Sequence, residues 1–127
     1  MKLTIIESPY KWKDYKELDE NIKYAKECLL DCLKRWEAPL ISHLLYTQVL
    51  EDKIPEERKL GIEAWLAWWD KADLTAVYTD KWISKWMEYW IERARERWRK
   101  IVYRKLNYCN DCFNCKSCND CINYFNK

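Results

Sequence analysis

Five cysteines, Cys109, Cys112, Cys115, Cys118 and Cys121, follow one another in four C-x2-C steps with mostly Asn and Asp between them. In a reducing compartment thiolates at this spacing read as metal ligands more readily than as disulfides. Cys109/Cys112 and Cys118/Cys121 would supply four thiolates to zinc, although the gap between the two knuckles is shorter than in ordinary zinc ribbons. The start of a bacterial ferredoxin-type cluster motif has the same steps, but its closing C-x3-C-P is missing, which puts zinc ahead of iron–sulfur. A metal-free Cys/Asn-rich tail is the alternative. Other candidates stand singly. His43 is the only histidine and lies beside Ser42, where it suits phosphate binding, acid–base work or a purely structural hydrogen bond. Arg58 and Arg104 would suit a ligand phosphate or ordinary surface charge. Cys28 and Cys32, four residues apart among leucines, read as buried core thiols. Local spacing builds no Ser, His and Asp arrangement, so a hydrolase triad has little support.

The elements that must position these groups alternate. Leu3 to Glu7 is a short β-branched run closed by Ser8-Pro9-Tyr10, a first strand and its turn. From Asp14 to Arg35 the apolar residues Leu18, Ile22, Ala25, Leu29, Cys32 and Leu33 recur at helical steps. Pro39 to Leu45 reads as a second strand, Pro55 to about Asp70 as a second helix opened by proline and two glutamates, and Leu74 to Tyr78 as a third strand. Ile83, Met87, Ile91 and Ala94 mark a third helix, and Ile101 to Tyr103 a last strand. The order βαβαβαβ predicts an α/β domain over residues 1–106: a small flavodoxin-like parallel sheet of about four strands with helices on both faces, followed by the Cys-rich tail at 107–127. Ligands in such sheets sit beyond the carboxyl ends of the strands, so Ser8, Tyr10, His43, Tyr46, Gln48, Asp80 and the start of the third helix, with Ser84, are expected to converge there.

Composition narrows the function classes. Lys and Arg number 23 against 21 Asp and Glu, too balanced for a phosphate-binding face, so nucleic acid is an improbable partner. No stretch approaches the ~20 apolar residues of a membrane span, and the expectation is a cytoplasmic protein with no membrane partner; self-association into a homo-oligomer stays open. One ratio is abnormal: Gly 1 against Trp 9, where ordinary usage gives roughly nine glycines. Trp36 and Trp98 each follow a basic final helical turn and precede a strand, the place where a left-handed residue commonly ends a helix and glycine is the easy choice. Trp82 and Trp86 flank the strand-to-helix turn before the third helix. Indoles packed in a core and a stacking surface for bases are two explanations. A third, a codon written as Trp that the source organism reads as Gly, repairs composition and turn chemistry together.

With glycine at most of those positions, IIESPY (5–10), EAPLISHLLYTQ (37–48), PEERKLGIEAWLAWWDKADLTAVYTD (55–80) and KWISKWMEYWIERARERWRKIVYRKL (81–106) resemble the nucleoside 2-deoxyribosyltransferase-like domains of unknown function of phages and bacteria. In that resemblance Trp68 is a true tryptophan, whereas Trp12, Trp36, Trp65, Trp69, Trp82, Trp86, Trp90 and Trp98 sit at glycine-like places. It implies a phage or bacterial setting and a pocket for a small nucleotide-like ligand. Trp86-Met87-Glu88-Tyr89-Trp90 is similar to the active transferases' turn, whose glutamate attacks the anomeric carbon, which implies Glu88 as nucleophile with Asp73 and Asp80 in support. Ser8-Pro9-Tyr10 and the longer Asp80 to Glu88 connection depart from the active enzymes. Three functions follow as expectations: cleavage or transfer at an N-glycosidic bond, non-catalytic sequestration of a nucleotide or ADP-ribose-like ligand, and a metal-binding interaction module.

Overall fold

The computed structural model describes residues 1–106. The chain runs β1 (Lys2–Glu7), α1 (Tyr15–Lys34), β2 (Glu37–Leu40), α2 (Pro55–Trp69), β3 (Leu74–Tyr78), α3 (Lys85–Glu96) and β4 (Lys100–Arg104). All strand pairs are parallel in the order β2-β1-β3-β4, a small flavodoxin-like α/β fold. Each helix carries its own start signal. Asp14 accepts the Glu17 N–H at 2.9 Å ahead of α1, Pro55 stands in the first turn of α2, and Ser84 accepts the Met87 N–H at 3.2 Å ahead of α3.

Strand alternation divides the core in two. Ile6, Leu74, Ala76 and Tyr78 face α1 and pack with Tyr24, Ala25, Cys28 and Cys32. Ile5 and Val77 face the other way, against Trp65 and Trp69 of α2 and Trp90, Met87 and Ile91 of α3. Each fully buried aliphatic chain contributes about 1.5–3 kcal/mol, so the all-buried β3 is the fold's central beam.

The second strand is shorter than the sequence pattern predicts. It pairs with β1 from Lys2↔Glu37 to Ile5↔Leu40 and leaves the ladder at Ile41, so Ser42, His43 and Tyr46 lie in two 3-10 turns (Ser42–Leu44 and Tyr46–Gln48). Local bonds outcompete the ladder there: Thr47 Oγ1 donates to the His43 carbonyl at 2.6 Å. Pro39, which lacks an N–H, is tolerated because β2 is an edge. α3 begins at Lys85, which leaves Trp82 and Ile83 in the loop before it.

Trp36 and Trp98 are the two left-handed residues among those described, at φ 61° and 60°, each one past a helix C-cap. The expected helix-ending geometry is therefore present. Their indoles are 74% and 95% exposed, so little packing offsets the strain.

Candidate functional site

A cavity of about 720 Å3 opens beyond the carboxyl ends of β1 and β2, walled also by α2 from Glu57 to Trp65 and by the start of α3. This volume falls in the range of about 300–1,000 Å3 typical of small-ligand sites. Ser8, Tyr10, Lys11 and Trp12 come from the loop after β1, and Ser42, His43, Tyr46 and Thr47 from the turns after β2. Arg58, Gly61 and Trp65 come from α2, and Ser84, Lys85, Trp86 and Trp90 from the start of α3.

His43 ties two of these walls together. Its Nε2 lies 2.7 Å from the Ser8 carbonyl, which can only accept, so Nε2 carries the proton and Nδ1, 3.4 Å from Ser42 Oγ, is left as the acceptor. The ring stacks on Tyr10 with centroids 4.6 Å apart. Burial, only partly offset by the Ser8 bond, lowers the His43 pKa to about 4, so the ring is neutral at pH 7. A buried, neutral, hydrogen-bonded histidine positions the site. Asn21 Nδ2 fastens the β1 loop further by donating to the Tyr10 and Lys11 carbonyls at 3.2 and 3.3 Å. Trp68 Nε1 donates to Tyr46 Oη at 3.0 Å and holds that ring against α2.

Two groups at the end of β1 stand out. Ser8 is 1% exposed and its hydroxyl has no partner. Glu7 is buried at the last position of β1, and desolvation pushes its carboxyl well above the ordinary range. It pairs in register with Val77, which places it on the α3 side of the sheet. The sequence reading passed over Glu7, though a lone acid closing an apolar strand was a visible signal. Lys11, Arg58 and Lys85 were not expected together either, because only folding brings three separate segments to one cavity.

Of the expected binding residues, Ser8, Tyr10, His43, Tyr46 and Ser84 line the cavity. Gln48 stands behind them, donating from Nε2 to the His43 carbonyl at 3.2 Å. The three acidic residues assigned to catalysis by resemblance are not among the lining residues. Asp73 stands just before β3, at the opposite end of the sheet, where its carboxylate accepts the Leu3 N–H at 2.7 Å and its own N–H bonds the Leu3 carbonyl. That position corrects the expected partnership with Glu88. Asp80 accepts the Tyr24 hydroxyl at 2.7 Å and the Leu106 N–H at 2.9 Å, which joins α1 to the segment after β4. Glu88 is exposed on α3, in the same helical turns as cavity-lining Trp86 and Trp90.

Residues 2–104 match a family described as a domain of unknown function (DUF7768). The chain belongs to this family. Comparison with curated proteins and with solved structures gave no match. The DUF7768 domain thus spans the whole sheet and the cavity, while Cys109, Cys112, Cys115, Cys118 and Cys121, with the zinc or iron–sulfur site expected there, lie outside the described residues. Among the described residues no group of three His, Cys, Asp or Glu side chains is placed to hold a metal ion, and no helix is long and apolar enough to cross a membrane.

Proposed function

We propose that this DUF7768 domain binds a small nucleoside or nucleotide at the carboxyl ends of β1 and β2. The observation that carries the reading is the cavity itself: about 720 Å3, with Tyr10, Trp12 and Trp86 to stack on a base and Ser8, Ser42, Thr47 and Ser84 to meet sugar hydroxyls. Its place beyond the strand ends agrees with where doubly wound sheets take ligands, and the sequence resemblance to deoxyribosyltransferase-like domains points to the same chemical class.

N-glycosidic cleavage or transfer is the second reading, supported by the resemblance that matches Glu88 to the attacking glutamate; Glu88 itself is exposed on α3 and, two residues from each, lies on the helix face opposite the cavity-lining Trp86 and Trp90. In that chemistry a carboxylate attacks the anomeric carbon, the base leaves with its bonding electron pair and takes a proton from solvent, and water or an acceptor hydroxyl then displaces the carboxylate from the sugar. Calorimetric titration of the full chain with a panel of deoxynucleosides and their 5′-monophosphates tests binding, and chromatography of the same mixtures tests base release. Saturable binding without release supports a sequestering domain. Release that disappears in Glu88→Ala makes it an enzyme, and no binding by any compound of the panel overturns both readings.

A further inference from the structure

We infer that the cavity grips its ligand through a phosphate monoester seated on the amino end of α3, so that nucleoside 5′-monophosphates rather than nucleosides are its occupants; this rests on the binding reading above. The first N–H groups of a helix have no partner within it, and there they carry the positive end of the helix dipole. α3 is 12 residues long, and the Ser84 side chain satisfies only the Met87 N–H, which leaves those of Lys85 and Trp86 to be met from outside the helix.

Three cations line the cavity that this end faces. Lys85 is the first residue of α3, Arg58 reaches across from α2 to lie 5.9 Å from the centre of the Trp86 ring, and Lys11 lines the cavity from the β1 loop. The acidic residues of the lining, Asp52 and Glu57, belong to the approach to α2 and its first turn, and Glu57 is engaged by the Glu51 N–H at 3.4 Å.

The second, independent observation is Ser8. It lines the same cavity, is 1% exposed, and has a hydroxyl without a partner. A buried hydroxyl kept unpaired is costly, and a phosphate oxygen would satisfy it. A serine hydroxyl on one wall and helix N–H groups with cationic side chains on the other form a recognisable seat for a tetrahedral dianion.

Titration of the full chain with deoxyadenosine, deoxyadenosine 5′-monophosphate and inorganic phosphate decides it. The monophosphate should bind at least ~tenfold tighter than the nucleoside, inorganic phosphate should compete with it, and Arg58→Gln and Lys85→Gln should each remove most of that advantage. Lys85 is exposed, so its variant tests the seat even where Ser8→Ala fails to fold. Equal affinity for nucleoside and monophosphate, or no competition by phosphate, overturns the seat and leaves the nucleoside reading standing. Phosphate binding without binding of any nucleoside or 5′-monophosphate of the panel above overturns both the nucleotide occupant and the nucleoside reading.

Discussion

The two faces of the sheet solve the same packing problem with different chemistry. On the α1 face, polar groups within the core are paired: Tyr78 Oη donates to Asp31 at 2.6 Å and lies 3.2 Å from Cys32 Sγ, and Arg104 holds Glu37 through two bonds of 2.7 Å. Desolvation works against the Glu37 charge, but Arg104 wins and keeps its carboxyl below the usual range. Burial pushes the Cys32 thiol up to about 12, so it stays protonated within this network. On the face of α2 and α3, Trp65, Trp69 and Trp90 fill the core, and unpartnered buried atoms collect: Trp69 Nε1, Thr75 Oγ1, Arg93 Nε and Arg99 Nη1. Arg99 stands 3.9 Å from the centre of the Trp69 ring. Among the described residues no tryptophan packs in the core of the α1 face.

The sharpest way to break the contrast is to remove the ion pair of the satisfied face. Arg104→Leu strands Glu37, whose side chain is only 12% exposed, and should cost about 3 kcal/mol in urea unfolding. A loss under about 1 kcal/mol would mean that the network adds little to that face. The next effects depend on pH. His43 has a native pKa of about 4 against ~6.5 unfolded, so the unfolded chain binds the extra proton between these values. Stability should therefore fall by up to about 1.4 kcal/mol per unit as pH drops through that window, and His43→Asn should flatten the fall. Glu7 acts in the opposite sense. Its native pKa is raised, so above ~4.3 the unfolded chain releases a proton that the native chain keeps, and stability declines as pH rises. Glu7→Gln should thus stabilise at pH 7 and change little at pH 4; an equal effect at both pH values would show that Glu7 is not held neutral.

Smaller effects sharpen the comparison at the helix ends. Trp36→Gly and Trp98→Gly should each raise stability by about 1 kcal/mol, because glycine relieves the left-handed strain, whereas the alanine variants should gain little. Peptide mass mapping of the protein isolated from its source tests the decoding explanation at the same two sites. Glycine masses support it, and tryptophan masses overturn it. Lys59→Ala, which opens an exposed pair with Glu63, should stay within about 0.5 kcal/mol by thermal unfolding and calibrates the other changes.

Much of the fold was legible because local signals agreed. Leu74 to Tyr78 was readable as a strand to the residue, and α1 lies within one residue of the bounds its apolar periodicity suggests. Trp36 and Trp98 could be placed at left-handed positions from the basic turns before them. The second strand was overextended because Ile41 to Leu45 is apolar enough for a strand, while the bond from His43 to Ser8 that folds it into turns spans 35 residues. The site was half legible for the same reason. Residues next to strand ends could be assigned, but Lys11, Arg58 and Lys85 meet only through the tertiary fold, and Asp73 was assigned by likeness to a motif while the sheet carries it to the opposite end.

The short second strand has a consequence for assembly in the crowded cell. An exposed sheet edge is a template for another chain, and natural edges are blunted by shortness and by proline. β2 has both features, four residues with Pro39 among them. Pro39 offers no N–H to a neighbouring copy that would lengthen the sheet on that side. Among the described residues the other edge, β4, has five residues and no proline, so it is the edge less blunted against strand addition.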